Sequence, residues 1–103
     1  MKVEIKDLKF KCIIGILDFE REKKQKVIID ISFEYEFKED IFIDYSEISS
    51  LVEKQMKKQR FKLIEDAIIF LKTKLYKMYR LNNLNISIAK PNILNNCVVS
   101  VSN

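Results

Sequence analysis

The sequence predicts an α+β fold in the order β-β-α-α-β-β, a four-stranded antiparallel sheet with two helices on one face. Three observations predict it. Over two long N-terminal stretches, apolar residues recur at every second position, as in strands with one buried face. Between residues 44 and 78 the apolar spacing changes to three and four, as in helices buried along one stripe. Two shorter alternating stretches then follow Leu84. With 103 residues, 48% of them hydrophobic and 11% aromatic, the chain is expected to form one globular domain over residues 1–103.

The elements follow in order. Val3 and Ile5 alternate with charges, the phase slips at Asp7–Leu8, and Leu8, Phe10, Cys12 and Ile14 resume it. That is one strand with a bulge near Asp7. Residues 18–26, "DFEREKKQK", read as a charged turn. Val27, Ile29, Ile31, Phe33, Tyr35 and Phe37 then form the clearest alternation in the chain, a strand expected to pair antiparallel with the first. Asp44-Tyr45-Ser46-Glu47 has the form of a capping box, Asp44 as N-cap and Glu47 three residues on. Ile48, Leu51, Val52, Gln55 and Met56 continue at helical spacing. "KKQR", 57–60, reads as a basic connection to a second helix, "FKLIEDAIIFLKTKLY", 61–76. Its buried stripe is Ile64, Ala67, Ile68, Leu71, Leu75 and Met78. Leu84, Ile86 and Ile88 alternate, as do Cys97, Val99 and Val101, giving two short strands separated by Pro91. Such a sheet has two open edges. Joining sheets edge to edge in a symmetric oligomer would protect both.

Composition excludes several classes of function. The net charge of +4 is dispersed among glutamates with no Arg-rich tract, and the element order is not that of the RNA-binding sheet modules, so no nucleic-acid partner is expected. No apolar run approaches the roughly 20 residues of a membrane span. The charged N-terminus, "MKVEIKDLK", is unlike a signal peptide. Cys12 and Cys97 lie far apart among apolar neighbours and read as reduced core thiols, consistent with a cytoplasmic location. The chain has no histidine. Without imidazole there is no Ser-His or Cys-His nucleophile pair, and a zinc site would have a poor ligand set, so no metal is expected. Acid–base work at neutral pH falls to Glu, Asp, Lys, Tyr or water.

Four polar residues stand in unusual places. Glu65 sits beside the apolar stripe of the second helix. Acidic residues also suit a first helical turn, where the free amides are positive. Lys90 continues the buried parity of Leu84, Ile86 and Ile88, and Pro91 restricts it to extended backbone. Tyr45 opens the first helix, and Glu20 lies in the charged run. The segments "CIIGILDFEREKKQKVIIDI", "DYSEI", "FKLIEDA" and "AKPN" together resemble the dihydroneopterin aldolase family, from about Val3 to Val101.

The resemblance implies the tunnelling fold, in which subunits join their sheets into a barrel as tetramers or octamers with sites between subunits. It implies retro-aldol cleavage of 7,8-dihydroneopterin in folate biosynthesis, with no cofactor, no metal and no Schiff base. By position, Glu65 looks like the carboxylate that binds the pterin ring, and Leu63 and Ile64 would lie against that ring. Lys90 looks like the catalytic lysine, Glu20 resembles the glutamate near the substrate side chain, and Tyr45 resembles the tyrosine supplied by the adjoining subunit, with Asp44 at the same pocket. The connection "FKEDIFIDY", 37–45, is shorter than in many members. Two alternatives share these residues: a dihydropterin side-chain epimerase and a non-catalytic pterin- or purine-binding oligomer.

Overall fold

The computed structural model describes residues 1–103. Strands β1 (Lys2–Cys12), β2 (Gln25–Glu34), β3 (Asn82–Lys90) and β4 (Val99–Ser102) form one sheet in the order β1-β2-β3-β4. Every neighbouring pair is antiparallel. A short helix, α1 (Asp18–Glu22), follows β1, and helices α2 (Tyr45–Gln59) and α3 (Ile64–Met78) lie between β2 and β3.

The strand alternation places the core. Val27, Ile29, Ile31 and Phe33 of β2 and Leu84, Ile86 and Ile88 of β3 are buried against Ile48, Val52 and Met56 of α2 and Ala67, Ile68, Leu71 and Leu75 of α3. These central strands are covered on one face by both helices, so their inward residues lose nearly all solvent contact. On the edge strand β1, Val3, Ile5, Leu8 and Phe10 pack against the same core but stay partly exposed. The expected bulge is present. The register shifts between Ile5 and Leu8, Asp7 adopts φ +57°, and its amide donates to the Asp30 carboxylate at 2.7 Å.

Several expected boundaries move, each for a physical reason. β2 ends at Glu34, opposite Lys2. Beyond it only Met1 remains to pair, through two bonds with Tyr35, so Tyr35–Phe37 leave the ladder. The charged run is not a simple turn, because the Leu17 carbonyl accepts the amides of Glu20 and Arg21 and closes α1. Residues 57–59 belong to α2, where Lys57 pairs with Glu53 at 2.9 Å. The helix stops only at Arg60, which is left-handed at φ 50°. The Asp44 cap bonds to the amide of Ser46 at 2.9 Å and to its hydroxyl at 2.6 Å rather than forming a reciprocal box with Glu47. α3 begins at Ile64, and Met78, at its last turn, is largely exposed. Cys12 is buried as expected, whereas Cys97 lies in the exposed loop before β4.

β4 has four residues, and Asn103 fastens its end. The Asn103 side chain accepts from the Ile86 amide at 2.7 Å and donates to the Leu84 carbonyl. No helix is long and apolar enough to cross a membrane.

Candidate active site

Pro91 follows Lys90 at the end of β3, and the parity of the strand turns the Lys90 side chain inward, where it is 12% exposed. Its ammonium meets the Glu20 carboxylate at 2.9 Å. Glu20 is 3% exposed although it lies in the most charged stretch of the sequence. Hydrogen bonds hold that stretch in place. The Glu20 carboxylate accepts from the Gln25 side-chain amide at 2.8 Å and from the Leu17 backbone amide at 3.3 Å. Gln25 also donates to the Ile14 carbonyl at 2.6 Å. Burial, the largest influence, pushes the Glu20 carboxyl up. Hydrogen bonds from Lys90, Gln25 and Leu17, with the Lys90 charge, outweigh it and hold the group below its ordinary value of 4.5.

The turn that carries Glu20 contains Gly15, the only glycine in the chain. Gly15 adopts φ +127°, a conformation that L side chains rarely adopt, and a β-carbon there would overlap the Glu20 carboxyl. The Gly15 amide donates to the Phe61 carbonyl at 3.1 Å. The Arg21 guanidinium donates to the carbonyls of Gly15, Phe61 and Arg60 at 3.0, 3.2 and 2.9 Å. The Lys90–Glu20 pair is therefore fastened to the segment that leads into α3.

Leu63, the N-cap of α3, is half exposed, and Ile64 is buried. No side chain caps this helix start, so the first-turn amides are open beside Glu65. Glu65 itself is exposed in the single chain. It lies on the polar flank of the stripe, which no other part of the same chain covers.

Tyr45 and Asp44 lie elsewhere. Residues 40–43, which precede them, line a cleft with Met78, Tyr79 and Arg80 at the far end of α3. Tyr45 is 64% exposed there. Asp44 is held below its ordinary value by its bonds to Ser46. The structure thus brings Glu20 and Lys90 together, ties them to Leu63, Ile64 and Glu65, and leaves Tyr45 and Asp44 at the opposite end of the helical layer. None of these residues lines an enclosed cavity in the single chain, and nowhere do acidic and thiol side chains gather in threes to hold a metal ion.

Residues 3–102 match the family model for dihydroneopterin aldolase, FolB. The chain belongs to the dihydroneopterin aldolase family. No curated protein sequence matches it. Among solved structures, it is similar to Escherichia coli dihydroneopterin aldolase in complex with neopterin, with TM-score 0.87 and 20% identity over 100% of this chain and 98% of that one. A Vibrio cholerae chain named for FolB gives 0.86 and 24%, covering 100% and 96%. A Burkholderia thailandensis dihydroneopterin aldolase bound to guanine gives 0.79 and 17%, covering 100% and 88%. At these identities the likeness establishes the fold.

Against the family resemblance, Gln25 and Arg21 are additions that sequence reasoning missed. Both stand in the charged run, where nothing separates a side chain bonded to the turn from one in solvent. The only advance signal was the lone glycine five residues before Glu20.

Proposed function

We propose that this chain cleaves 7,8-dihydroneopterin by a retro-aldol reaction to 6-hydroxymethyl-7,8-dihydropterin and glycolaldehyde, a step of folate biosynthesis in the cytoplasm. The observation that carries the reading is the shielded Lys90–Glu20 pair, 2.9 Å apart and bonded through its turn to the start of α3.

The reaction needs a base for the side-chain hydroxyl proton, an electron sink for the breaking C–C bond and an acid for the resulting carbon. The dihydropterin ring carries a C=N bond beside that carbon, so it can take the electron pair itself. Glu65 accepts hydrogen bonds from the ring amino group and the adjacent N–H, and Leu63 and Ile64 lie against the ring. Glu20 stays ionised at neutral pH and orients the side-chain hydroxyl. Glu20 helps to hold or deprotonate that side chain, and Lys90 tunes a bound water for proton transfer. Tyr45 of an adjoining copy, with Asp44 beside it, handles the proton that completes the enol intermediate. The functional unit is a tetramer or octamer with sites between subunits, because Tyr45 and Glu65 stand at opposite ends of one chain.

Incubation with 7,8-dihydroneopterin and chromatography of the products is the direct test, with hydroxymethyl-dihydropterin and glycolaldehyde as the expected result. Recovery of substrate with inverted side-chain stereochemistry instead would make the protein an epimerase, which needs only recombination after the same cleavage. Ring binding with no product would leave the non-catalytic pterin- or purine-binding reading. The guanine-bound relative makes that worth testing, since guanine and pterin share an aminopyrimidine edge. Glu65→Ala should abolish ring binding in a protein that keeps its circular dichroism spectrum; unchanged affinity would refute the anchoring role. Borohydride added during turnover should trap no adduct on Lys90.

A further inference from the structure

Two halves of the proposed site come from distant parts of the sequence, and one side chain spans them. Arg21 follows Glu20 on α1, and its guanidinium donates to three carbonyls: Gly15 at 3.0 Å, Phe61 at 3.2 Å and Arg60 at 2.9 Å. The first lies in the turn under Glu20. The other two lie in the connection from α2 to α3, just before Leu63, Ile64 and Glu65. We infer that Arg21 is a positioning residue that fixes the distance between the pair acting on the substrate side chain and the helix start that holds the ring. This inference rests on the functional reading above and adds to it the element that sets the spacing.

The physical argument is geometric. The guanidinium is a rigid planar fork with several donors. It can hold three acceptors in fixed relative positions, whereas a lysine ammonium on a flexible stem cannot reproduce that arrangement. One further bond joins the two segments, from the Gly15 amide to the Phe61 carbonyl at 3.1 Å. A single hydrogen bond leaves rotation about it free, and the three from Arg21 remove that freedom. A bound substrate is gripped at its ring by one segment and reacts at its side chain against the other. A displacement of about 1 Å between them costs on the order of 100-fold in rate, while each segment can still bind its own part of the ligand.

The test is Arg21→Ala and Arg21→Lys in the full-length protein. In Arg21→Ala, kcat on 7,8-dihydroneopterin should fall on the order of 100-fold. Affinity for 7,8-dihydropterin, the ring without its side chain, should stay within about threefold of wild type. Free guanidinium at low millimolar concentration should restore part of the turnover, and Arg21→Lys should recover little of it. Unchanged kcat in a folded Arg21→Ala protein overturns the inference. So does an equal loss of turnover and ring affinity, which would mark a merely structural role. Hydrogen exchange provides a readout independent of activity: amides of residues 15–20 and 61–66 should exchange faster in Arg21→Ala, while β2 and β3 stay protected. Wild-type protein that cleaves no dihydroneopterin sinks the functional reading. The exchange measurement then decides the clamp by itself, and unchanged exchange in both segments rules it out.

Discussion

Gly15 adopts φ +127°, and the Glu20 carboxyl occupies the space a β-carbon there would take, so the position is constrained twice, by conformation and by space. Gly15→Ala must either change the turn or push Glu20 away from Lys90. We expect it to cost about 1–3 kcal/mol of stability in urea unfolding and on the order of 100-fold in turnover; a fully active Gly15→Ala protein would show that Glu20 need not stay in place. Glu20 also gives the protein a defined acid sensitivity. Its folded-state carboxyl is held below 4.5, so the native state favours the ionised form. That contribution is fully present above pH 4.5 and is lost as pH falls through the lower folded value. Wild type should therefore exceed Glu20→Gln in stability at neutral pH, and the gap should close on acidification below 4.5. Equilibrium unfolding of both proteins from pH 7 to about pH 3 checks this, and a gap that stays constant across the range would contradict it.

The connection between α2 and α3 depends on Arg60, a non-glycine residue at φ 50° and ψ 55°. The left-handed conformation costs about 1–2 kcal/mol for a residue with a β-carbon. Only the Arg60 carbonyl is used, as an acceptor for Arg21. Arg60→Gly should therefore raise stability by up to about 1 kcal/mol, read as a Tm increase of several degrees with turnover unchanged; a lower Tm would mean the arginine side chain contributes packing. How much the sequence disclosed depends on whether an element is self-contained. β2 and β3 were legible because their inward residues alternate without a break, and α3 because its stripe from Ile64 to Leu75 is buried as the spacing implies. α1 was hidden. Five residues make too short a run for a 3.6-residue period to be visible, and the helix is held by bonds to residues 60 and 61. The burial of Glu20 was equally hidden, because its partner Lys90 lies 70 residues away. Glu65 was visible as an acid beside an apolar stripe, but the folded chain alone leaves it exposed.

At the scale of the whole molecule, α2 and α3 run so that the start of one meets the end of the other. The Tyr79 hydroxyl, just past α3, is pushed up first by burial and then by the carboxylates of Glu47 and Asp44 at the start of α2. Fifteen residues of α3 span about 22 Å at about 1.5 Å per residue, which separates Tyr45 from the Lys90–Glu20 end. Tyr45 and Lys90 can act on one substrate only if they come from different chains. The sheet offers the means, since β1 is an open edge of eleven residues and β4 is a short edge of four. Unlike edges that meet head to tail generate a closed ring where the rotation between neighbours closes. In such a ring each site takes Lys90 from one chain and Tyr45 from its neighbour. Tyr45→Phe and Lys90→Ala proteins, each inactive, should then recover activity when unfolded together and reassembled at equal amounts. With random placement, a site is intact only when the chain that keeps Lys90 is followed by the chain that keeps Tyr45, which happens in about a quarter of sites. Recovery near a quarter of wild-type turnover, in oligomers confirmed as mixed by two distinguishable tags, is the expected result. No recovery in confirmed mixtures would place both residues in sites of a single chain, or remove one of them from the chemistry.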